Sequence, residues 1–295
     1  MGSDRITIDV PLVQRLVAEQ FPEWAGLPIQ PVEVSGWDNR TFHLGDELSV
    51  RLPSAAGYVP AVEKEQRWLP VLAPRLPLPI PAPIGRGVPG EGYPFPWSVN
   101  RWLDGENATL DRIDGLTRFA EDLAGFLRAL QRIDPSDGPA AGPHSFWRGG
   151  PLMAYDAETR RAISTLGERI DGAAALAVWA TALEATWRGD PVWFHGDVAA
   201  GNLLVRDGRL AAVIDFGTCG IGDPACDIVI AWTLLAGESR AAFRSALVVD
   251  DEMWARARGW ALWKALITFD NVDPATAAEA RRVVDTLLTE FRDGG

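Results

Sequence analysis

Residues 195–205 read His195-Gly196-Asp197-Val198-Ala199-Ala200-Gly201-Asn202-Leu203-Leu204-Val205, and further on the chain reads Ile214-Asp215-Phe216-Gly217. Between them, the turn residues Arg206-Asp207-Gly208-Arg209 separate two apolar runs, Asn202 to Val205 and Leu210 to Ile214. Asp-Gly between apolar runs predicts a two-residue hairpin. Its turn lies near the midpoint between positions 202 and 215, so antiparallel pairing returns Asn202 and Asp215 to one end of the ribbon. An amide oxygen and carboxylate oxygens gathered there are hard ligands of the kind Mg²⁺ accepts, with water and substrate phosphates completing its shell. Asp197 stands in the loop leading into the hairpin, where a carboxylate can orient a hydroxyl and accept its proton.

Working outward, the first hundred residues read as a small β-rich lobe. Asp9 and Pro11 set up a capped helix through Gln20. Runs at Val32 to Val34, Thr41 to Leu44 and Leu48 to Leu52 predict an antiparallel meander, followed by a helix over Val62 to Leu72. The proline-dense Pro74 to Pro83 can only be extended or turning. Ile84 to Val88 and Trp97 to Trp102 are further strand-like runs, and Leu103-Asp104-Gly105 marks a boundary. Beyond it, apolar residues from Ile113 to Leu130 recur at spacings of three and four, which predicts a long amphipathic helix. Helices are also expected over Ala157 to Leu166, Ala173 to Trp187, Ala225 to Ala236, Asp251 to Asp270 and Pro274 to Phe291. The organisation is therefore residues 1–103 as a β-rich lobe and residues 104–295 as a helical lobe.

The chain of 295 residues carries 28 basic and 40 acidic side chains, a formal charge of −12. That is the wrong sign for tracking a phosphate backbone or an anionic bilayer, so neither nucleic acid nor a membrane is an expected partner. Most of the surplus lies beyond residue 103, which suits a cationic small molecule or plain solubility. Two cysteines, Cys219 and Cys226, offer neither a disulfide framework nor a zinc ribbon, so a reducing cytoplasm is expected. No stretch is apolar for the ~20 residues a bilayer span needs. Only two of the basic residues are lysines, Lys64 and Lys264.

The order D-x-x-x-x-N and then D-F-G is that of the catalytic and metal loops of kinases. Phe194 through Val205, Ile214 to Gly217, and Gly222-Asp223-Pro224-Ala225-Cys226-Asp227 resemble the signature blocks of the aminoglycoside and macrolide phosphotransferase and choline kinase family. Ser35-Gly36-Trp37-Asp38-Asn39-Arg40-Thr41-Phe42 and Ser49-Val50-Arg51-Leu52-Pro53 are similar to the first lobe of bacterial antibiotic phosphotransferases, and the resemblance runs nearly end to end. It implies an α+β, bilobal protein-kinase-like fold with a small β-rich N-lobe and a larger, mostly helical C-lobe. It further implies ATP or GTP bound between the lobes, Mg²⁺, and transfer of the γ-phosphate to a small-molecule hydroxyl.

Carried onto this sequence, the resemblance gives Asp197 the base role and Asn202 and Asp215 the metal. His195 becomes a support of the loop backbone. The segment containing Gly36 and Asn39 would cover the phosphates. Arg51 occupies the strand position where a phosphate-anchoring lysine is expected; it serves that role or is a solvated strand end. Its helical partner is Glu65, or Glu63. Arg101 and Leu103 would contact the nucleobase through backbone groups. Asp223 and Asp227 resemble an acidic pair that either touches the acceptor or caps structure. Trp263 and Asp270, on or beside a tryptophan-rich helix near Lys264, suit an organic cation or belong to the core. The leading acceptor is an aminoglycoside or related antibiotic. A macrolide, or a choline-like, amino-sugar or homoserine-like metabolite, is the alternative, and a non-catalytic nucleotide-binding protein is the rival of another class.

Overall fold

The computed structural model describes residues 7–32 and 38–294. The chain forms two compact units. One comprises the chain up to Gly105 together with Ala211–Gly217; the other comprises Glu106–Leu210 and Thr218–Gly295.

The first unit is built on an antiparallel sheet. Its strands are β1 (Ile29–Pro31), β2 (Asn39–Leu44), β3 (Leu48–Pro53), β4 (Pro83–Gly87) and β5 (Trp97–Arg101), in the order β1-β2-β3-β5-β4. Helix α1 (Val10–Gln20) starts where Asp9 Oδ1 accepts the Leu12 N–H at 3.0 Å, with Pro11 fitting the first turn. Its Leu12, Val13, Leu16 and Val17 pack with Phe42, Leu44, Val50 and Leu52. Helix α2 (Val59–Leu72) contacts β4 and β5 and buries Glu65, Trp68, Leu69 and Leu72. A strand is formed at Ile29–Pro31, just before the run expected at Val32 to Val34, whose last two residues lie outside the described ones. Pro31 is tolerated because β1 is an edge strand, and of the expected run only Val32 is described, its N–H donating to Thr41 O.

The second unit is mostly helical: α3 (Leu116–Gln131), α4 (Asp156–Leu166), α5 (Gly172–Glu184), α6 (Ile230–Thr233), α7 (Gly237–Leu247), α8 (Asp251–Thr268) and α9 (Pro274–Arg292). Helix α8, not the amphipathic α3, is the one buried on nearly every side, and it contacts α4, α5 and α9. Gly259 permits the approach of α5, since a Cβ there would lie 2.6 Å from Ala182 Cβ. The helix expected over Ala225 to Ala236 is instead a 3₁₀ segment, Pro224–Val229, followed by the single-turn α6. Ile228 to Trp232 are all buried, so the stretch carries no amphipathic period to distinguish the two geometries.

Five short strands complete the architecture: β6 (Glu106–Asn107), β7 (Val192–Phe194), β8 (Leu203–Arg206), β9 (Arg209–Val213) and β10 (Gly220–Gly222). β7 pairs with β10, and β6-β8-β9 form a small sheet. Between β8 and β9, Asp207 (φ 51°) and Gly208 (φ 72°) both adopt the left-handed region, the requirement of a type I′ hairpin. The sequence boundary assigned all of residues 104–295 to the helical lobe. Ala211–Gly217 instead count with the first unit, because the Val213 N–H donates to Pro79 O and Asp215 faces Arg51.

Candidate active site

In the second unit, β7 delivers the chain into the loop His195–Ala199. His195 is fully buried, and Gly196 sits at φ 89°, where a Cβ would strike Thr218 Oγ1 and Thr218 O at 2.8 and 2.9 Å. Only glycine fits that turn. The loop backbone is clamped from below. Asp227, fully buried, accepts the His195 N–H at 2.8 Å and the Gly196 N–H at 2.6 Å, while Thr218 Oγ1 donates to His195 O. Burial lifts the Asp227 carboxyl above its ordinary pKa, and His195 and these amides work against the rise. His195 Nδ1 accepts the Asp197 N–H at 3.2 Å, so its ring supports the turn.

Asp197 projects from this loop. Its Oδ1 accepts from Lys264 Nζ of α8 at 2.8 Å, and its Oδ2 accepts from Asn202 Nδ2 at 3.1 Å. Burial disfavours its charge, but Lys264, with smaller help from His195 and Arg148, outweighs that and holds the carboxyl below its ordinary pKa. A carboxylate ionised at neutral pH and facing a cavity can accept a proton. The cavity is an open cleft lined by Asp197 and Lys264, by Arg148 from the loop before α4, and by Val198, Cys226, Val229, Trp260 and Trp263.

In the first unit, Arg51 on β3 donates from Nη1 to both oxygens of Glu65 on α2, at 3.3 and 3.2 Å, and its Nη2 lies 3.6 Å from Asp215 Oδ1. Its side chain is 15% exposed, so it is a paired guanidinium rather than a solvated strand end. Burial opposes its charge, but Glu65 and Asp215 overcome that and keep the guanidinium protonated; burial lifts the Glu65 carboxyl, with Arg51 holding it down. Glu63 points elsewhere, to Arg86 at the surface. Asp215 takes φ 63°, a conformation that a non-glycine residue adopts at a cost.

Asn202 and Asp215 supply the donor chemistry expected for a metal. Asn202 Nδ2 is committed to Asp197 O and Oδ2, which leaves the amide oxygen as the ligating end, and the Asp215 side chain is about one third exposed. No cluster of three or more His, Cys, Asp or Glu side chains gathers among the described residues. Mg²⁺ takes few protein ligands and several phosphate and water oxygens, and the amide oxygen of Asn202 in the second unit and the carboxylate of Asp215 in the first are each donors of the kind it accepts.

The remaining sequence candidates fall in different places. Gly36 lies outside the described residues. Asn39 begins β2, buried and opposite Pro53. The Arg101 N–H is committed to Ala82 O and the Trp102 N–H to Glu47 O, whereas the Leu103 N–H donates to no backbone carbonyl among the described residues. Of the two backbone positions expected to read a nucleobase, only Leu103 has its donor available. Asp223 is buried, caps the Ala225 N–H and pairs with Arg256 at 2.7 Å. Asp270 pairs with Arg169 and Arg281. Neither of these, nor Asp227, lines the cavity beside Asp197; Trp263 does. Lys264, Arg148 and Trp260 complete the cavity in ways the sequence did not assign. The rarity of lysine was the one available signal for Lys264, and nothing in the loop around Arg148 distinguished it.

With this geometry described, comparison with known proteins gives a consistent result. Residues 29–260 match the model of a family described as the phosphotransferase enzyme family. A 46-residue stretch is 41% identical to an aminoglycoside 3'-phosphotransferase of Escherichia coli, spanning 16% of this chain and 17% of that relative's length. Among solved structures, the chain is similar to the GDP and kanamycin complex of APH(2")-IIia (TM-score 0.72, 18% identity, covering 96% of this chain and 99% of that one). It is also similar to the GDP complex of wild-type aminoglycoside 2'-phosphotransferase-IIIa (0.74, 15% identity, 96% and 100%). The third is macrolide 2'-phosphotransferase MphH from Brachybacterium faecium (0.62, 18% identity, 94% and 98%). These likenesses establish the fold, that of the protein-kinase-like phosphotransferases. No helix among the described residues is long and apolar enough to cross a membrane.

Proposed function

The chain belongs to the phosphotransferase enzyme family, and on that premise we propose that it is an ATP- or GTP-dependent O-phosphotransferase whose acceptor is a hydroxylated small molecule. The observation that carries the reading is Asp197. Its carboxylate is held ionised by Lys264, fixed by Asn202, mounted on a loop clamped by Asp227, and open to a cleft walled by Arg148, Trp260 and Trp263. Asp197 orients the acceptor hydroxyl and takes its proton. Asn202 and Asp215 hold Mg²⁺, which when bound neutralises charge on the nucleotide phosphates. Arg51 contacts those phosphates as a permanently charged fork, and Glu65 fixes its direction.

The structural relatives, solved with kanamycin, gentamicin or streptomycin or named for macrolides, favour a hydroxylated antibiotic as the first acceptor class, with a hydroxylated metabolite as the second. The test is ADP and GDP release with Mg²⁺ across aminoglycosides, macrolides, amino alcohols and sugar alcohols, with Asp197→Asn as the comparison. Loss of a proton-accepting group predicts a fall of about 10²–10⁴-fold with ATP binding retained in a thermal-shift assay. Turnover that survives the substitution would overturn the assignment of Asp197. ATP binding with no turnover on any acceptor would favour a non-catalytic nucleotide-binding protein.

A further inference from the structure

We propose that Arg148 is an anion-recognition group in the cavity beside Asp197, so that the acceptor carries a carboxylate or phosphate in addition to the hydroxyl that is phosphorylated. The inference rests on the phosphotransfer reading for the word acceptor, but the binding site itself stands on geometry. The Arg148 guanidinium lies 4.6 Å from the ring centre of Trp263 and 5.7 Å from that of Trp260, and it donates long 3.4 Å hydrogen bonds to Phe146 O and the Tyr155 hydroxyl. It makes no ion pair with a carboxylate among the described residues. Arg51, Arg240 and Arg256, sheltered side chains of the same type, each hold one: Glu65, Glu290 and Asp223.

The charge balance of the cavity wall points the same way. Its lining carries two cations, Arg148 and Lys264, and one carboxylate, Asp197, which is paired with Lys264. That leaves one positive charge over. Glu158, next to the aromatic wall, accepts the Trp263 Nε1–H at 2.7 Å and does not line the cavity; Glu279 on α9 acts on Lys264 from an exposed position. Val198, Val229, Cys226 and the two tryptophans surround the remaining charge with apolar surface, where an electrostatic contact is stronger than in water. The aromatic platform restricts the guanidinium, and its fork matches carboxylate and phosphate oxygens two at a time. The acidity of residues 104–295 as a whole therefore does not extend to this wall, and a polycationic acceptor would meet Arg148 directly.

Isothermal titration without nucleotide tests the site with six-carbon probes: gluconate as carboxylate and glucitol as neutral probe in the open-chain form, and glucose 6-phosphate as phosphate and glucosamine as cationic probe in the ring form. We expect at least one anion to bind tenfold or more tightly than glucitol, the two anions together telling which head group is preferred. Arg148→Gln should remove that preference without changing glucitol binding, and Arg148→Lys should restore part of it. If Arg148→Gln fails to fold, Arg148→Lys and weakening of anion binding by added NaCl make the same decision. Glucosamine binding more tightly than both anions, neither anion exceeding glucitol, or a preference that survives Arg148→Gln would overturn the proposal. Turnover assays separate the two readings. Arg148-dependent anion binding with no phosphoryl transfer to any acceptor defeats the phosphotransfer reading alone, and Asp197-dependent phosphorylation of glucosamine with no anion preference defeats this inference alone.

Discussion

Replacing Arg256 by methionine should strongly destabilise the second unit while leaving the groups proposed to bind ligands untouched. Arg256 and Asp223 face each other through Nε to Oδ2 at 2.7 Å and Nη2 to Oδ1 at 3.3 Å, with side chains 9% and 7% exposed. Methionine fills much of the space of the arginine stem, so the chief loss is the partner of a buried carboxylate. Removing one member of such a pair costs about 3–5 kcal/mol. At roughly 2–4 °C per kcal/mol for a unit of this size, the second unit should melt about 6–20 °C lower.

The loss should also depend on pH in a definite direction. Burial already lifts the Asp223 carboxyl above its ordinary value, and Arg256 is the main group holding it down. Without Arg256 the folded-state pKa rises further, so folding takes up a proton, and stability falls as pH climbs from the ordinary carboxylate value through the raised one. The penalty of Arg256→Met should therefore be smaller in urea unfolding near pH 4.5 than near pH 8. Asp223→Asn placed on top of Arg256→Met should recover part of it, because no charge is then left unpaired. A penalty below about 1 kcal/mol at both pH values, or one that grows on acidification, would refute the reasoning.

Arg51→Ala should weaken nucleotide binding while the fold persists, and Glu65→Gln should do so to a lesser degree; unchanged ATP affinity in both would place the phosphate anchor elsewhere. Asp227→Ala removes the acceptor of two buried N–H groups at about 1–3 kcal/mol each, so it should cost about 2–6 kcal/mol in denaturant unfolding, with Asp227→Asn milder. Gly196→Ala should abolish turnover through the loop backbone alone, since the added Cβ meets Thr218; a variant with normal kcat would show that the loop relaxes. EDTA should stop nucleotide consumption, and excess Mg²⁺ should restore it.

Much of the site could be read from the chain because its chemistry is carried by neighbours in sequence. Asp207-Gly208 is a turn suited to a tight hairpin, and it announces the β8–β9 pair from two adjacent residues. Asp9 and Pro11 marked the start of α1 for an equally local reason. Contacts made at long range left no such trace. The partner of Asp197 lies on α8, and Arg256 reaches Asp223 from the same helix, whose burial on nearly all sides erases amphipathic periodicity. Asp223 and Asp227, which the resemblance left between touching the acceptor and capping structure, each cap backbone N–H groups, and Asp270 is engaged by Arg169. Strands β6, β7 and β10, two or three residues long, are too short to show an alternation.

The return of Ala211–Gly217 to the first unit has a consequence for how the protein is made. A nascent chain emerging from the ribosome can form β1 to β5 early, yet the Val213 amide that meets Pro79 and the Asp215 carboxylate that meets Arg51 lie more than a hundred residues beyond the end of β5 at Arg101. Through that interval Arg51 has Glu65 alone for company. The unit that begins translation is thus among the last to be completed, and helpers that shield partly finished chains would find their longest window of action on its sheet and not on the later helices.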